Sequence, residues 1–589
     1  MKIIQPRQSP IALEITRKRY LMADSKGRIM ETVGEMLWRV AKHIAKFEED
    51  KKVAEAFYER MVTKKFVCSG KAMFEAGSPG GCGQLAACFV LPIEDSIDSI
   101  FKTLGEAAVI HKNNGGTGFN FSKIRPHGDK VKNVPHAASG PVDFIKAFSA
   151  ALSKILQGAK RQGANIAILN ADHPDIEEFI RMKTEDGTIK NFNISVGASD
   201  EFMKAVRLKK IWQLVNPRNK EAVKKIRADK LFDLICEYAW KTADPGMAFL
   251  DRLDRDNPTP TLGKIEATNP CGEIGLLPYE SCNLGSINLS EHVKNEKRKT
   301  KNEKLEIDWE ELRKTIRIGV RFLDNMIEVN NYPLEQVKRI VKDGNRRIGL
   351  GVMGLAHLFY KLQIPYNSEK AVKLSEKLAQ FIRIEADKES ERLGRERGNF
   401  GNYDVSIYAK SGKARRNCAT TMIAPTGTIS MFADCSSGIE PVFALTTTRR
   451  TFFEDSRKNS STKEVIVNDP VYQEYKDRYE QKVFVTAHEI GWRWHVKIQA
   501  AWQKYFDNSV SKTINFPKEA TVEEVKQAYL LAWKLGCKGM TIYRDGSKQD
   551  QVLNNPASAG QVCPECGYEL IIKEGCSSCL NCGYSKCSL

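Results

Sequence analysis

The chain has 589 residues, 42% of them hydrophobic and 28% charged, enough for a large core and more than one domain. No apolar run reaches membrane-spanning length and the first twenty residues carry no secretory pattern, so an intracellular, cytoplasmic location with reduced cysteines is the expectation. The formal charge of +18 suits anionic ligands from nucleotides to nucleic acid and does not separate them. The basic runs at Lys209-Lys210, Lys220–Lys230 and Lys294–Lys304 contain acidic residues and almost no aromatics. That is the pattern of solvated faces or inserted loops rather than of a base-stacking platform.

Residues 1–75 are expected to be mostly helical. Glu31-Thr32-Val33 opens an apolar pattern through Met36, Leu37, Val40, Ile44 and Phe47, which fits one amphipathic helix. From 76 to 548, apolar strand-like runs alternate with longer helical patterns, as in a parallel α/β architecture. Within this region Asn269-Pro270-Cys271-Gly272-Glu273 places an amide, a thiol and a carboxylate at every second position. In an extended segment those three side chains face one way. A lone cysteine is more often core than chemistry, but here a carboxylate flanks the thiol and Cys282 follows nearby. Pro425-Thr426-Gly427-Thr428-Ile429-Ser430 fits a tight turn able to cradle an anion. Residues 294–302 read as a surface insertion, and 549–562 as a flexible linker without apolar periodicity.

Six of the fifteen cysteines lie in the last 27 residues. Cys563-Pro564-Glu565-Cys566 and Cys576-Ser577-Ser578-Cys579 are two CxxC knuckles whose thiolates suit tetrahedral zinc. This partition makes 563–589 a zinc-ribbon-like tail and leaves Cys582 and Cys587. The other partition gives zinc Cys579 and Cys582 and leaves Cys576 and Cys587.

The segment NPCGEIGL, followed by ESCNLGSINLS, resembles the active-site loop of ribonucleotide reductase catalytic chains, above all the adenosylcobalamin-dependent class II enzymes. AACFVLPIEDSIDSIF, HKNNGGTGFNFSKIRPHGD, LQGAKRQGANIAILNADHPDIEEFI, RRIGLGVMGLAHLF, APTGTISMFADCSSGIEPVFAL and GCKGMTIYRDGS agree in family order. The resemblance implies a ten-stranded α/β barrel of two five-stranded halves with the 269–273 loop at its centre. It also implies a helical N-terminal region that lacks the ATP cone. The implied activity is reduction of ribonucleotides, taken as diphosphates, to 2′-deoxyribonucleotides for DNA synthesis.

By the same resemblance Cys271 is the thiyl-radical residue, Glu273 the general base for the 3′-hydroxyl and Asn269 the amide that holds the ribose. Cys88 and Cys282 are the reducing pair, which requires their Cα atoms within about 7 Å. Gly115, Gly116, Thr426, Gly427, Thr428 and Ser430 are implied at the substrate. Asp95, Ser96, Lys123, Arg125, Lys160 and Arg161 are implied at a deoxynucleotide effector site. The loop 157–165 carries its signal, with Gly158 and Gly163 permitting rearrangement. Cys582 and Cys587 match a shuttle dithiol, re-reduced by a thioredoxin- or glutaredoxin-like partner. A homodimer is the implied assembly.

Thr541-Ile542-Tyr543 has one tyrosine where a class I large subunit, which needs a separate radical-generating partner, commonly has two. That favours adenosylcobalamin as the radical source, although Thr486-Ala487-His488-Glu489-Ile490-Gly491 is only a partial cobalamin motif and is read as incidental. Cys68, Cys82, Cys236, Cys418, Cys435 and Cys537 are read as structural. The reading from a different class is a nucleic-acid-binding zinc-ribbon protein.

Overall fold

The computed structural model describes residues 2–132, 134–157, 161–184, 189–294, 305–454, 460–547, 570–573, 576–579 and 584–587. The basic insertion beyond Lys294, the linker 549–562, and Lys160, Cys563, Cys566 and Cys582 lie outside the described residues.

The N-terminal region forms α1 (Pro10–Arg19), α2 (Val33–Ile44), α3 (Lys52–Val62) and α4 (Gly70–Glu75). Thr32 starts α2 through a capping box with Glu35, which satisfies backbone donors that a helix start leaves unpaired. Met36, Leu37, Val40 and Ile44 are buried along one face, as the spacing predicts. Phe47 departs from that expectation: the helix ends at Ile44, and Phe47 lies beyond it, 66% exposed.

The region is not purely helical. Strand β1 (Phe66–Cys68) leaves it and joins the main sheet. Three residues are too few to show a period, which is why the pattern missed it.

The main sheet has ten strands. After β1 they are β2 (Cys88–Val90), β3 (Gly116–Asn120), β4 (Asn165–Asn170), β5 (Phe192–Ala198), β6 (Gly246–Phe249), β7 (Ser281–Asn288), β8 (Ile348–Met353), β9 (Thr513–Phe516) and β10 (Gly539–Arg544). Strands β2, β3, β4, β5 and β6 run parallel in sequence order. This parallel half ends in an antiparallel joint at each edge, β2 with β7 and β6 with β10. Beyond the joints, β7 pairs parallel with β8, and β10 with β9. Single bridges Leu350↔Thr421 and Ile423↔Val510 carry pairing from β8 toward the segment that precedes β9. Continuous apolar strands such as Ile166–Leu169 fit a sheet covered on both faces.

Helices cover the sheet. Helix α5 (Ile97–Lys112) follows β2, while α6 (Trp309–Val329) packs on β7 and β8 and the 29-residue α7 (Glu369–Arg397) packs on α6. Helix α8 (Gly427–Ala433) opens at the PTGT turn. Gly285 in β7 makes room for the Phe66 ring, since a Cβ there would come within 2.6 Å of Phe66 Cζ.

Two residues before Cys282, the Glu280 carboxylate is fully buried and paired with Arg347 at 2.9 Å. Asn345 Nδ2 and the Leu277 N–H also donate to it, and Arg347 donates to Asn508 Oδ1. Removing one partner of such a pair strands the other charge. Arg347→Met is expected to cost roughly 3–5 kcal/mol, read as a lower chemical-denaturation midpoint. A midpoint equal to that of wild type would mean that Glu280 does not depend on Arg347.

Candidate active site

Ala267–Thr268 and Gly275–Leu276 pair as a short antiparallel hairpin. Between them the Gly272 N–H donates to the Asn269 carbonyl at 3.0 Å, and Gly272 has φ +75°. Pro270 suits the second position of this turn because its φ is preset. The segment is therefore a turn and not the extended strand expected from the alternation. The chain reversal, rather than a two-residue period, brings Asn269 and Glu273 to the inner side, where both are buried. Cys271 stands half-buried at the tip.

Asn269 Nδ2 donates to Cys88 Sγ at 3.2 Å while its Oδ1 accepts from the Ile274 N–H, so both ends of the amide are held. Glu273 Oε1 lies 4.0 Å from Cys88 Sγ, and Oε2 accepts no hydrogen bond among the described residues. With no cation beside it, burial raises the Glu273 carboxyl to about 7. Burial also lifts both the Cys88 and Cys282 thiols well above their ordinary range, and the Glu273 charge adds to the effect at Cys88. Both sulfurs thus remain protonated thiols at neutral pH.

Cys88 lies directly opposite Cys282 in the antiparallel β2/β7 register. Opposed residues have Cα atoms about 4.5–5.5 Å apart, within disulfide reach. Gly116 is the parallel register partner of Cys88, so the glycine platform borders the thiol pair. A Cβ at Gly118 would sit 1.8 Å from the Thr268 carbonyl oxygen, and one at Gly116 would sit 3.0 Å from Pro270 Cγ. Asn193 Nδ2 donates to the Pro270 carbonyl. Sequence reasoning missed the roles of Gly118 and Asn193 in seating the hairpin; only the glycine cluster carried a signal for the first.

Thr426 adopts φ +55° and its Oγ1 accepts from the Gly438 N–H, which closes the PTGT turn. Ser430 is buried, and its hydroxyl is used within the turn by Gly427 O and Ser437 Oγ. Ala424, two residues before Thr426, packs in one apolar cluster with Cys282 and Met422.

The effector candidates gather at the start of α5. Ser96 caps that helix; Arg125 pairs with Asp95 at 2.9 Å, and Lys123 with Glu94 at 2.8 Å and Glu266 at 3.4 Å. Arg161 falls in a two-residue strand paired with Leu156–Gln157. In the tail, Cys576 and Cys587 are antiparallel register partners, and Cys579 is buried.

Cys271 also borders an open cleft lined by Asn193, Gln499, Lys512 and Thr541. Gln499 donates to Val510 O and Gly539 O while its buried Oε1 has no hydrogen-bond partner among the described residues. Lys512 is buried against Glu440 and His495 Nδ1, and desolvation pulls its ammonium down. His488, in the partial cobalamin motif, is exposed with its ring edge-on to Phe443.

The family profile described as "Ribonucleotide reductase, barrel domain" matches residues 86–543, and "Ribonucleotide reductase, all-alpha domain" matches 7–81. A protein of Thermoplasma acidophilum named vitamin B12-dependent ribonucleoside-diphosphate reductase is 42% identical, over 92% of this chain and 79% of its own length. One of the same name from Mycobacterium tuberculosis is 41% identical, over 93% and 80%. The ribonucleoside-diphosphate reductase subunit alpha of Chlamydia pneumoniae is 26% identical, over 94% and 62%.

The raised Glu273 carboxyl has a consequence for stability. Between its ordinary 4.5 and about 7 the folded chain holds a proton that the unfolded chain has released, so this group's contribution to stability falls as pH rises through that window. Glu273→Gln should therefore gain on wild type between pH 5 and pH 8, by on the order of 1–3 kcal/mol. Paired denaturation curves at the two pH values test this, and an unchanged difference would refute it.

Proposed function

The chain belongs to the ribonucleotide reductase family, and on that premise we propose that it reduces ribonucleoside diphosphates to 2′-deoxyribonucleotides with adenosylcobalamin as its radical source. The observation that carries this reading is the Cys88/Cys282 register with Asn269 and Glu273 of the hairpin packed against Cys88. The two B12-dependent relatives, at 41–42% identity against 26% for the subunit alpha, support cobalamin over a separate radical-generating subunit. The two bridges beyond β8 support closure of the ten strands into a barrel of two halves.

The cleft beside Cys271 fits the nucleoside part of the cofactor. Its lining carries the polar side chains of Asn193, Gln499 and Thr541. When bound, adenosylcobalamin supplies the one-electron oxidation of the Cys271 thiol. On the inner side, Asn269 orients the ribose and Glu273 takes the 3′-hydroxyl proton, poised near neutrality because burial has raised it. Cys88 and Cys282 give two electrons and two protons as they join in a disulfide, and the 2′-oxygen leaves as water. Gly115, Gly116 and the Thr426–Thr428 turn hold the substrate against the pair.

The tail returns electrons from a thioredoxin- or glutaredoxin-like reductant. The Cys576↔Cys587 register favours the second partition, with Cys576 and Cys587 as the shuttle and zinc on Cys563, Cys566, Cys579 and Cys582. Deoxynucleotide effectors bind at the start of α5, where Arg125 and Lys123 exchange their carboxylate partners for phosphate and Asp95 and Ser96 hold the sugar. Lys160 and Arg161 contribute from the 157–165 loop. A homodimer forms through α5, whose Ile97, Phe101 and Val109 are exposed in an i+4 row, with Gly105 between them open to its surroundings.

Anaerobic conversion of CDP to dCDP with adenosylcobalamin and dithiothreitol is expected from wild type and abolished by Cys271→Ser. Product from both, or from wild type without cobalamin, would overturn the reading. Removing 563–589 should eliminate bound zinc and thioredoxin-driven multiple turnover while sparing one turnover. Undiminished thioredoxin-driven turnover would sink the shuttle. Phe101→Glu should convert a dimer to monomer in sedimentation velocity, and an unaffected dimer would place the interface elsewhere.

A further inference from the structure

Among the cysteines whose side chains are described, only Cys271 and Cys82 are not fully buried. Cys271 has a place in the chemistry above; Cys82 has none. It lies in the glycine-rich loop Gly80-Gly81-Cys82-Gly83 between α4 and β2, and this loop wraps a buried ion pair. Lys71 and Glu75, one turn apart on α4, pair at 3.0 Å with side chains only 7% and 3% exposed. Gly83 N–H donates to Glu75 Oε2, and a Cβ at Gly81 would come within 2.7 Å of the same oxygen. The loop can approach the carboxylate this closely only because it lacks side chains there.

The result is a cluster of a thiol, an amine and a carboxylate. Cys82 Sγ is 3.6 Å from Lys71 Nζ, and Glu75 Oε1 lies within hydrogen-bond reach of both, 3.0 Å from the nitrogen and 3.3 Å from the sulfur. Lys71 Nζ also donates to the Asn113 carbonyl at 2.7 Å. A packing role for Cys82 would need neither its partial exposure nor a proton acceptor shared with an amine at contact distance.

We propose that Lys71 and Cys82 form a reversible nitrogen–sulfur cross-link when the chain meets hydrogen peroxide. In the first step the Cys82 sulfur attacks one peroxide oxygen. An S–O bond forms, the O–O bond breaks, and the leaving hydroxide takes the thiol proton by way of Glu75 and departs as water. Sulfur is oxidised by two electrons, peroxide is reduced by two, and Cys82 becomes a sulfenic acid. In the second step Lys71 Nζ, after giving a proton to Glu75, bonds to that sulfur. The S–O bond breaks and the oxygen leaves as a second water. The net change is one thiol, one amine and one peroxide to one S–N bond and two waters. A dithiol reverses it: one thiol takes the Cys82 sulfur from nitrogen, the second closes a disulfide with the first, and the amine and Cys82 thiol are restored.

The cross-link lies where it can reach the active site. Lys71 Nζ, Cys82 Sγ and Gln84 Nε2 all lie against the Asn113 carbonyl. Asn113 leads through Asn114, at φ +62°, into Gly115 and Gly116 beside Cys88. The loop itself runs on into β2. The cross-link thus forms next to both segments that border the reducing pair, without using either of its thiols.

The test is a tryptic map of the full chain after peroxide treatment in dithiol-free buffer, with remaining thiols alkylated. The expected product is the peptide 66–102 uncut at Lys71, two hydrogens lighter than the same peptide without the link, with fragment ions joining Lys71 to Cys82. Its uncut fraction should rise with peroxide in wild type and stay at background in Cys82→Ser. Dithiothreitol added before digestion should restore cleavage. In Lys71→Arg, which keeps the charge, Cys82 should advance to sulfinic acid instead. Complete cleavage at Lys71 in peroxide-treated wild type, with Cys82 free, oxygenated or joined to another cysteine, would overturn the proposal whatever the variants do.

Discussion

Backbone lies against backbone where the 267–276 hairpin crosses the parallel half of the sheet, and the site depends on that contact. The Thr268 carbonyl oxygen occupies the space that a side chain at position 118 would need. Because β3 presents bare glycines at 116 and 118, the hairpin sinks far enough to set Asn269 and Glu273 against Cys88. Asn193 holds the hairpin from the neighbouring strand through the Pro270 carbonyl. Close packing of this kind leaves little room for alternative positions, so the tip residue Cys271 is delivered to one place between the cleft and the thiol pair.

Two carboxylates within this region are treated in opposite ways. Glu280 is buried with a guanidinium, an amide and a backbone N–H turned toward it. Glu273 is buried without a cation, and its carboxyl rises to about 7. The first is a structural charge that anchors the start of β7 next to Cys282. The second is left able to gain and lose a proton near neutrality, since desolvation without a counter-charge is what brings a carboxylate into that range. The thiols beside it are raised by the same burial and stay protonated.

Helix α5 joins distant parts of the molecule physically. At its start, Ser96 caps the helix and Asp95 pairs with Arg125. Near its end, the buried His111 bonds to Thr117 of β3, which in turn donates to Asn165. The His111 ring packs so closely on Gly163 that a Cβ there would fall 1.9 Å from Nδ1. One rigid helix therefore touches the charged cluster, the glycine platform and the end of the 157–165 loop. This is continuity of structure; energetic coupling between those regions is a separate quantity.

The amino-acid sequence by itself determined the alternation of strand and helix, the capped start of α2, and the residue types of the site, because each is written in local periods and in short motifs that resemble one family. It also carried the glycines that the hairpin contact requires, though not the reason for them. Other features are decided by contacts between segments far apart in the chain. Local pattern read 269–273 as extended, whereas hairpin pairing and the Gly272 turn make it a reversal, so the convergence of Asn269 and Glu273 arises by a different geometry. Phe47 continued an apolar period that its helix does not. The strand Phe66–Cys68 was invisible until β7 offered it a partner. Above all, the meeting of Cys88 with Cys282 is a matter of register between β2 and β7, and no local propensity specifies register between strands so distant in sequence. That pairing, and the burial that raises Glu273, exist only in the folded molecule, because both depend on which surfaces exclude water together.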